Sequence, residues 1–581
     1  MAEKGTLDNV QSKKSRPIYA FLTAAAVFCG LVWSVTNVSF DSTYHISMSQ
    51  RLLTGDKMFL EMWEPHQTSA FLSAGLMWLY ETLFHTTTGI VLYLQVCGIL
   101  IRGAVAVLFY RTLRTELEKP MAYGMALLFF MISPKDLALP EFSNMQLWYS
   151  ALLFCCLYAY LQRGNRFLLA AAGFWLCLAV LAYPSCLLLY PGIIGLLACL
   201  SENRRADILI FTAVCAGFGA AMGGYFLFTL GPHTLVQCIR GMLALEPSHT
   251  VGISRKLFAY LKDAVRVVPV YLTAGLLSFC LSRFLQAASS VTAEESKESA
   301  GQKRLQLWLL CSAGIFLAGF FLNILSAENR AAYGLIFLFV IVLGLRNKSA
   351  LTGERKKLYL CLSVIGGLEF LAALLLSNLP LLSSVPYGLL AATAAMLPIE
   401  RSFHSHRAKK AGRVCFVCFV MLLAFRCVYV RTPLTGRGQI CSVLSDLSMV
   451  RVGPAWGIIS NEEGVCIERD SYPQWKEWIR PGDKVWIIGD PANTLGYLYE
   501  DVEVAGPSTI STPSYSSSLP EYWRLNPDKY PPDVIVAESY LGQPAYELQN
   551  NAWLQSWLEE EYRPELIVDG TYWKFYFKKA R

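Results

Sequence analysis

The feature that most constrains this chain is a series of about thirteen apolar runs, each near the length of one membrane-spanning helix. A hydrocarbon core about 30 Å thick is crossed by roughly 20 apolar residues, so each run predicts one span. The composition agrees, because 54% of the residues are hydrophobic and only 16% are charged, which excludes an ordinary soluble globule. The runs lie near residues 17–36, 88–110, 120–133, 146–161, 167–182, 185–200, 207–230, 267–282, 305–323, 331–345, 358–376, 387–399 and 412–430.

The distribution of charge predicts an orientation. Residues 1–430 hold 36 Lys and Arg against 22 Asp and Glu, whereas residues 431–581 hold 14 against 21. With residues 1–16 in the cytoplasm, the loops on that side carry 25 Lys and Arg and the opposite connections carry 9, as the positive-inside rule requires. Basic residues between apolar runs indicate membrane loops rather than a surface for nucleic acid. Thirteen spans is an odd number, so residues 431–581 are predicted to lie outside the cytoplasm.

The sequence therefore predicts an α-helical polytopic membrane protein with a small C-terminal extracytoplasmic α/β domain. Its parts are a cytoplasmic N-terminus (1–16), a transmembrane domain (17–430) with a first outer loop (37–68), and the tail (431–581). The run 69–84 is too short to span and predicts a helix that lies at the interface or re-enters it. In the tail, β-rich runs at 484–489, 533–538, 565–570 and 571–577 and a helical stretch at 550–562 predict a unit that folds without the membrane part, with 505–520 as a loop.

The first outer loop carries the most informative polar residues. Asp41 follows the first span, and the loop continues through Leu52-Leu53-Thr54-Gly55-Asp56 to Glu64-Pro65-His66. Desolvation at a membrane boundary can prepare a carboxylate as a base, although charge alone favours a hydrated loop carboxylate at Asp41. No phosphate-binding loop, dinucleotide fingerprint, HExxH or usable GxSxG is present in the sequence, which excludes the common soluble-enzyme classes.

The order of these features resembles the GT-C glycosyltransferases, which use polyprenyl-phosphate sugars and include protein O-mannosyltransferases and lipid A aminoarabinose transferases. The resemblance covers roughly residues 17–345. It rests on an uncleaved first span, an acidic residue at its outer end, the Gly55-Asp56 turn and the Glu64-Pro65 step, where Lys-Pro is usual. It continues at Leu181-Ala182-Tyr183-Pro184, with Tyr183 where a Lys is common, and at Arg330-Ala331-Ala332-Tyr333.

The resemblance implies a glycosyltransferase that moves a hexosyl or pentosyl group to an acceptor hydroxyl on the extracytoplasmic face, with inversion. Asp41 is then the general base, and Glu141 is a second candidate catalytic carboxylate. Family members often have an acidic residue near Glu141, where this chain places Asn144 or Gln146, so the metal site is unknown and a divalent cation stays open.

Other candidates for substrate binding are weaker. Arg330 could hold the donor phosphate or anchor the chain at the interface, and Tyr333 lies in the same step. Tyr44 and His66 could contact the sugar or acceptor, but aromatic residues are also ordinary at a membrane boundary. Glu64 belongs to the loop motif. Arg102 falls near the middle of the second span, where we expect it to pair with a neighbouring helix.

A transporter or lipid-linked sugar flippase is the alternative function, since it would share the span count and Arg102. The absence of an internal repeat and the concentration of ionisable residues at the outer boundary favour the enzyme. The expected partners are a polyprenyl-phosphate sugar, a glycan, protein or lipid acceptor, and the membrane, most simply the plasma membrane. The sequence does not identify the sugar, the acceptor or the oligomeric state, and it leaves a disulfide between Cys441 and Cys466 open.

Overall fold

A computed structural model describes residues 2–245 apart from residue 37, residues 254–265 and residues 351–402 apart from residue 378. It also describes residues 417, 420, 421 and 424 and most of residues 447–579. Three predicted spans, 267–282, 305–323 and 331–345, lie outside these described residues. So do most of the span 412–430, the candidates Arg330 and Tyr333, and Cys441.

The membrane part consists of packed helices that follow the apolar runs. Those described in residues 2–245 are α1 (Ala2–Thr36), α2 (Phe40–Leu53), α3 (Ala70–Phe84), α4 (Ile90–Leu113), α5 (Lys119–Met131), α6 (Phe142–Arg163), α7 (Arg166–Ala182), α8 (Leu189–Leu200), α9 (Arg204–Leu230) and α10 (Pro232–Leu245). After residue 350 come α11 (Gly353–Leu376), the short α12 (Leu381–Ser384) and α13 (Leu389–Ser402). Short 3-10 segments occupy Gln67–Ser69, Pro184–Leu188 and Val385–Gly388.

Four described helices are long and apolar enough to cross a membrane: residues 17–36 of α1, and α4, α9 and α11. Shorter apolar helices, including α7, α8 with its preceding 3-10 segment, and residues 385–398, pack among them. One large cluster of buried apolar residues joins α1, α4 to α8, α11 and α13. The chain is a multi-pass membrane protein.

Two predicted elements of the membrane part differ in detail from the structure. The run 185–200 is not one continuous α-helix, because Pro184 opens a 3-10 segment that continues to Leu188 before α8 begins. The polar loop 37–68 contains α2, whose first turn follows Ser39. The helix predicted at 69–84 is confirmed as α3.

The tail contains the predicted mixed α/β arrangement. Its larger sheet has the strand order β4 (Glu503–Val504), β3 (Lys484–Ile488), β5 (Val534–Tyr540), β8 (Trp573–Phe577) and β7 (Val568–Asp569), with β6 (Gln543–Pro544) paired to β5. The first three strands are parallel and the others antiparallel. A two-stranded sheet pairs β1 (Ser448–Met449) with β2 (Ile459–Ser460). The tail helices are α14 (Glu462–Trp478), α15 (Pro513–Leu525) and α16 (Ala552–Glu561).

The prediction that residues 505–520 form a loop is wrong for their second half. Helix α15 runs from Pro513 to Leu525, with Pro520 inside it. The serine-rich composition favours a loop, but Leu519, Tyr522 and Trp523 are buried in the cluster that covers the β-sheet. Burial of these side chains against the sheet therefore outweighs the weak helix propensity of the serines.

The tail packs directly on the segment that follows α1. The Trp63 N–H donates to the Pro507 carbonyl at 2.7 Å, and the Asn526 side chain donates to the Leu60 carbonyl at 2.9 Å. Two apolar clusters also combine residues of α2 to α4 with residues of the tail. We call the end of the membrane part where residues 38–69, the loop 132–141 and the tail lie its tail-proximal end. Independent folding of the tail stays a prediction.

Candidate active site

Asp41 lies in the first turn of α2, at the tail-proximal end of α1. The partial positive charge of a helix N-terminus favours a carboxylate at this position. The Asp41 carboxylate pairs with the Lys135 ammonium at 2.9 Å, and the two side chains are 24% and 13% exposed, respectively. We call this ion pair the entrance pair. It holds a carboxylate that solvent and small ligands can reach at the boundary of the membrane part.

Lys135 was not among the candidates that the sequence suggested. It lies in the loop 132–141 between α5 and α6, and its ammonium is also 4.1 Å from the centre of the Phe142 ring. The sequence does carry a signal, since Lys135 is one of only nine basic residues in the predicted outer connections that precede the tail. A basic residue is unusual in a short loop on this side, so it suggests a nearby anion. In the structure that anion is Asp41.

Glu141 lies beside the entrance pair but is directed into the end of α6. It is the N-cap of that helix, and its two carboxylate oxygens accept hydrogen bonds from the N–H groups of Ser143 and Asn144 at 2.8 and 2.7 Å. Burial raises the pKa of Glu141, and Lys135 opposes that shift. Glu141 therefore shares the electrostatic environment of Asp41, while both of its oxygens already have partners.

Aromatic rings form one wall next to the entrance pair. The His66 ring stacks on Phe142 with centroids 4.1 Å apart, and Tyr183 lies 5.0 Å from His66. Tyr183 and His66 are only partly buried. The structure thus brings His66 to the same place as Asp41 and Glu141, together with the Tyr183 that occupies the position of the common family lysine.

His45 is buried behind this wall. Its Nε2 atom is 3.0 Å from the Ser73 hydroxyl. Burial lowers the pKa of His45 to about 3, and the positive charge of Lys135 acts in the same direction. The imidazole is therefore neutral at pH 7 and adds no positive charge to the site.

A network of buried hydrogen bonds holds the loop that carries Lys135. Arg102 donates to the Leu137 carbonyl at 2.7 Å and to the Asn144 side-chain oxygen at 3.0 Å, which confirms its predicted pairing with a neighbouring helix. The Asn144 amide donates to the carbonyls of Leu137 and Leu139 at 3.1 and 2.9 Å. Asn144 thus supports the loop, and substrate binding by Asn144 stays a prediction.

Gln146 is also buried, two residues further along α6. Neither atom of its side-chain amide has a hydrogen-bond partner among the described residues. Substrate binding by Gln146 stays a prediction.

Two other candidates from the first loop, Glu64 and Tyr44, are buried. Glu64 is wholly buried and accepts hydrogen bonds from Arg51 at 3.0 Å and from the Thr509 N–H at 3.0 Å. Tyr44 is buried in the apolar cluster that the first loop shares with the tail. Substrate binding by Glu64 and by Tyr44, which lies one turn after Asp41 in α2, stays a prediction.

Arg51 connects Glu64 to a second set of charges, which we call the junction network (Arg51, Asp56, Glu64 and Lys529). Arg51 pairs with Asp56 at 2.6 Å, and Asp56 pairs with Lys529 of the tail at 2.7 Å. The four side chains are at most 5% exposed. The junction network therefore joins the first loop to the tail through charges removed from water.

The carboxylates near the entrance pair are engaged by donors of the chain itself, and a divalent cation at this place stays open. Such an ion needs several oxygen ligands with free lone pairs. The Lys135 ammonium occupies an oxygen of Asp41, and both oxygens of Glu141 accept backbone N–H groups. Among the described residues, no group of three or more His, Cys, Asp or Glu side chains is arranged to hold a metal ion.

Comparison with solved structures finds similarity of fold, at low sequence identity, to an archaeal oligosaccharyltransferase and to ArnT. The oligosaccharyltransferase of Archaeoglobus fulgidus, tethered to an acceptor peptide, matches with a TM-score of 0.41 and 12% identity over 89% of this chain and 68% of that chain. ArnT of Cupriavidus metallidurans in the apo state matches with a TM-score of 0.38 and 12% identity, covering 97% of this chain and 98% of that one. ArnT bound to undecaprenyl phosphate gives 0.38 and 11% over the same shares. No family model matches, and no curated protein matches.

Proposed function

We propose that this chain is a membrane glycosyltransferase that moves a hexosyl or pentosyl group from a polyprenyl phosphate to an acceptor hydroxyl. The observation that supports this proposal is the entrance pair. It places an accessible carboxylate and an ammonium 2.9 Å apart at the end of the membrane part, beside the aromatic wall of His66, Phe142 and Tyr183. Transfer from a phosphate-linked sugar needs a base for the acceptor and positive charge for the leaving phosphate.

In the proposed reaction, Asp41 removes the proton from the acceptor hydroxyl as the acceptor oxygen bonds to the anomeric carbon. The bond between that carbon and the phosphate oxygen breaks, and polyprenyl phosphate leaves with the bonding electrons. Attack on the face opposite the leaving group inverts the anomeric configuration. His66 and Tyr183 offer ring surfaces and polar atoms to the sugar or acceptor. Glu141 acts through its charge and through the end of α6 that it caps.

The proposal is tested by transfer of label from a panel of polyprenyl-phosphate hexoses and pentoses by the purified full chain. Asp41→Asn should lower the transfer rate by ~10²–10⁴, because Asn keeps the shape of Asp but cannot accept the proton. The matched control is Asp501→Asn, which neutralises an exposed carboxylate of the tail and should leave the rate unchanged. Near-native transfer by Asp41→Asn would exclude the base assignment, whereas absence of transfer by the native chain from every donor of the panel would favour the transporter alternative.

We further propose that the tail-proximal end faces the extracytoplasmic side, as the distribution of Lys and Arg predicts. A cysteine introduced at Asp569, whose side chain is 78% exposed, should react with a membrane-impermeant maleimide in intact cells. The native chain serves as the background, because it contains other cysteines. Labelling above that background only after the cells are opened would reverse the orientation.

A further inference from the structure

We propose that Lys135 is a phosphate-binding residue that exchanges between two anions. It pairs with Asp41 while the donor is absent, and it pairs with the phosphate group of the donor once the donor binds. This inference rests on the proposed function and names the residue that takes the phosphate. The exchange would also couple the two halves of the reaction, because departure of Lys135 leaves the Asp41 lone pairs free for the acceptor proton.

The first support is the geometry of the entrance pair itself. Lys135 Nζ lies 2.9 Å from Asp41 Oδ1, so the ammonium donates to the oxygen that would otherwise receive a proton. While this pairing lasts, that carboxylate oxygen is less available to accept a proton from the acceptor. A second anion that competes for the ammonium would release it, and the phosphate of a polyprenyl donor is an anion that arrives at the membrane boundary with each substrate molecule.

The second support is access. An ammonium that changes partners must be reached from outside, and Lys135 and Asp41 keep 13% and 24% of their side chains exposed. The ion pairs of the junction network lie at 0–5% exposure and have no such access. Among the ion pairs of the first loop that the structure describes, the entrance pair is therefore the one that a ligand can enter.

The third support is the contrast between a fixed loop and a flexible side chain. Arg102 and Asn144 hold the loop through the carbonyls of Leu137 and Leu139. On α4, Gly98 lets the loop approach so closely that a Cβ atom there would collide with the Ala138 carbonyl. The backbone at Lys135 is thus held in place, whereas the lysine stem has four carbons and can redirect its charge by side-chain rotation alone. Arg102 and Asn144 are positioning residues for this exchange.

The immediate surroundings favour a phosphate over a bound metal as the second partner. Lys135 supplies a hydrogen-bond donor and a positive charge, and the neighbouring ring of Phe142 leaves part of the ammonium without water. Charge-assisted hydrogen bonds to phosphate are stronger than neutral ones, and a lysine acts on phosphate as a point charge. A metal ion would instead compete with the ammonium for Asp41.

The test measures dissociation constants of the detergent-solubilised full chain for a short polyprenyl monophosphate and for the matching polyprenyl alcohol. Lys135→Gln should bind the phosphate roughly 10- to 100-fold more weakly and the alcohol unchanged. Lys135→Arg keeps the charge and should stay within a few-fold of the native chain. Lys57→Gln, which removes an exposed lysine of the first outer loop, is the matched control and should have no effect. Native affinity of Lys135→Gln for the phosphate would overturn the assignment.

The exchange itself is tested by Asp41→Asn. Removing the competing carboxylate should tighten phosphate binding in the native background and give little gain in the Lys135→Gln background. An equal gain in both backgrounds would indicate simple repulsion between Asp41 and phosphate and would overturn the exchange. No sugar is used in these measurements. If Lys135→Gln loses phosphate binding, the result supports the anion site even when the donor panel gives no transfer. If the native chain transfers sugar but Lys135→Gln keeps its phosphate affinity, the proposed function stands and this role of Lys135 is excluded.

Discussion

The entrance pair and the junction network both use carboxylates of the same short segment, residues 38–69, yet they differ in access to water. Asp41 and Lys135 are 24% and 13% exposed, whereas the four side chains of the junction network are at most 5% exposed. The entrance pair joins two loops of the membrane part. The junction network instead joins the first loop to the tail through Lys529.

This difference in exposure indicates which ion pair can take part in a reaction. A buried, fully paired charge is costly to expose, and removing one partner leaves the other uncompensated. A partly exposed pair contributes little to stability, because water and salt screen it, and it can exchange one partner for a ligand. We therefore expect changes in the junction network to affect folding and changes in the entrance pair to affect chemistry.

The largest effect on stability is expected for Arg51→Met. This change leaves Asp56 and Glu64 buried without their main cation, so the free energy of unfolding should fall by about 3–5 kcal/mol. Denaturant-induced unfolding in detergent measures it. The control is Arg524→Met, which breaks an arginine–carboxylate pair whose side chains are 57% and 51% exposed and should cost less than about 1 kcal/mol. Equal losses of unfolding free energy in the two variants would show that burial does not decide how much an ion pair contributes to stability.

A smaller effect is expected from the protonation of His45. Its folded-state pKa is about 3, below its ordinary value, so the unfolded chain binds the proton more readily and stability falls as the pH drops below about 6.5. Between pH 7 and pH 5 the contribution is about 2 kcal/mol of lost stability. His45→Gln cannot titrate, so its unfolding free energy should change less over that interval. Parallel pH profiles of the two chains would contradict a buried neutral imidazole.

The smallest effect on folding is expected for Lys135→Gln. The entrance pair is partly exposed, so its loss should change the free energy of unfolding by less than about 1 kcal/mol. Thermal unfolding in the same detergent would show it as a shift of the midpoint much smaller than that of Arg51→Met. A loss as large as that of Arg51→Met would show that the entrance pair is structural.

Local patterns in the sequence predicted much of the fold. The apolar run 69–84 became α3, and the β-rich runs 484–489 and 571–577 became β3 and β8, because hydrophobic periodicity and β-branched content are local signals. The helix Pro513–Leu525 was missed, because burial of Tyr522 and Trp523 against the sheet is a tertiary effect that the serine-rich composition does not reveal.

The candidate site was predictable only in part, for the same reason. Asp41 and His66 were suggested by their order within one loop, and the structure brings both to one place. Lys135 is 94 positions away in the sequence, and only the packing of the loop 132–141 against α2 shows that it contacts Asp41. The same packing shows that Glu64 pairs with Arg51 and that Asn144 supports Leu137.

The entrance pair is expected to serve chemistry, and the junction network is expected to serve folding. The most direct test of this difference is the charge-swap variant Asp41→Lys/Lys135→Asp, measured for both unfolding and sugar transfer. The variant keeps an ion pair at the same place but moves the carboxylate to the other loop. We predict an unfolding free energy within about 1 kcal/mol of the native chain. We also predict a transfer rate reduced by ~10²–10⁴, because the base no longer lies at the start of α2. Near-native transfer by this variant would contradict the account, since it would show that the pair serves the fold and that its polarity is irrelevant to the chemistry.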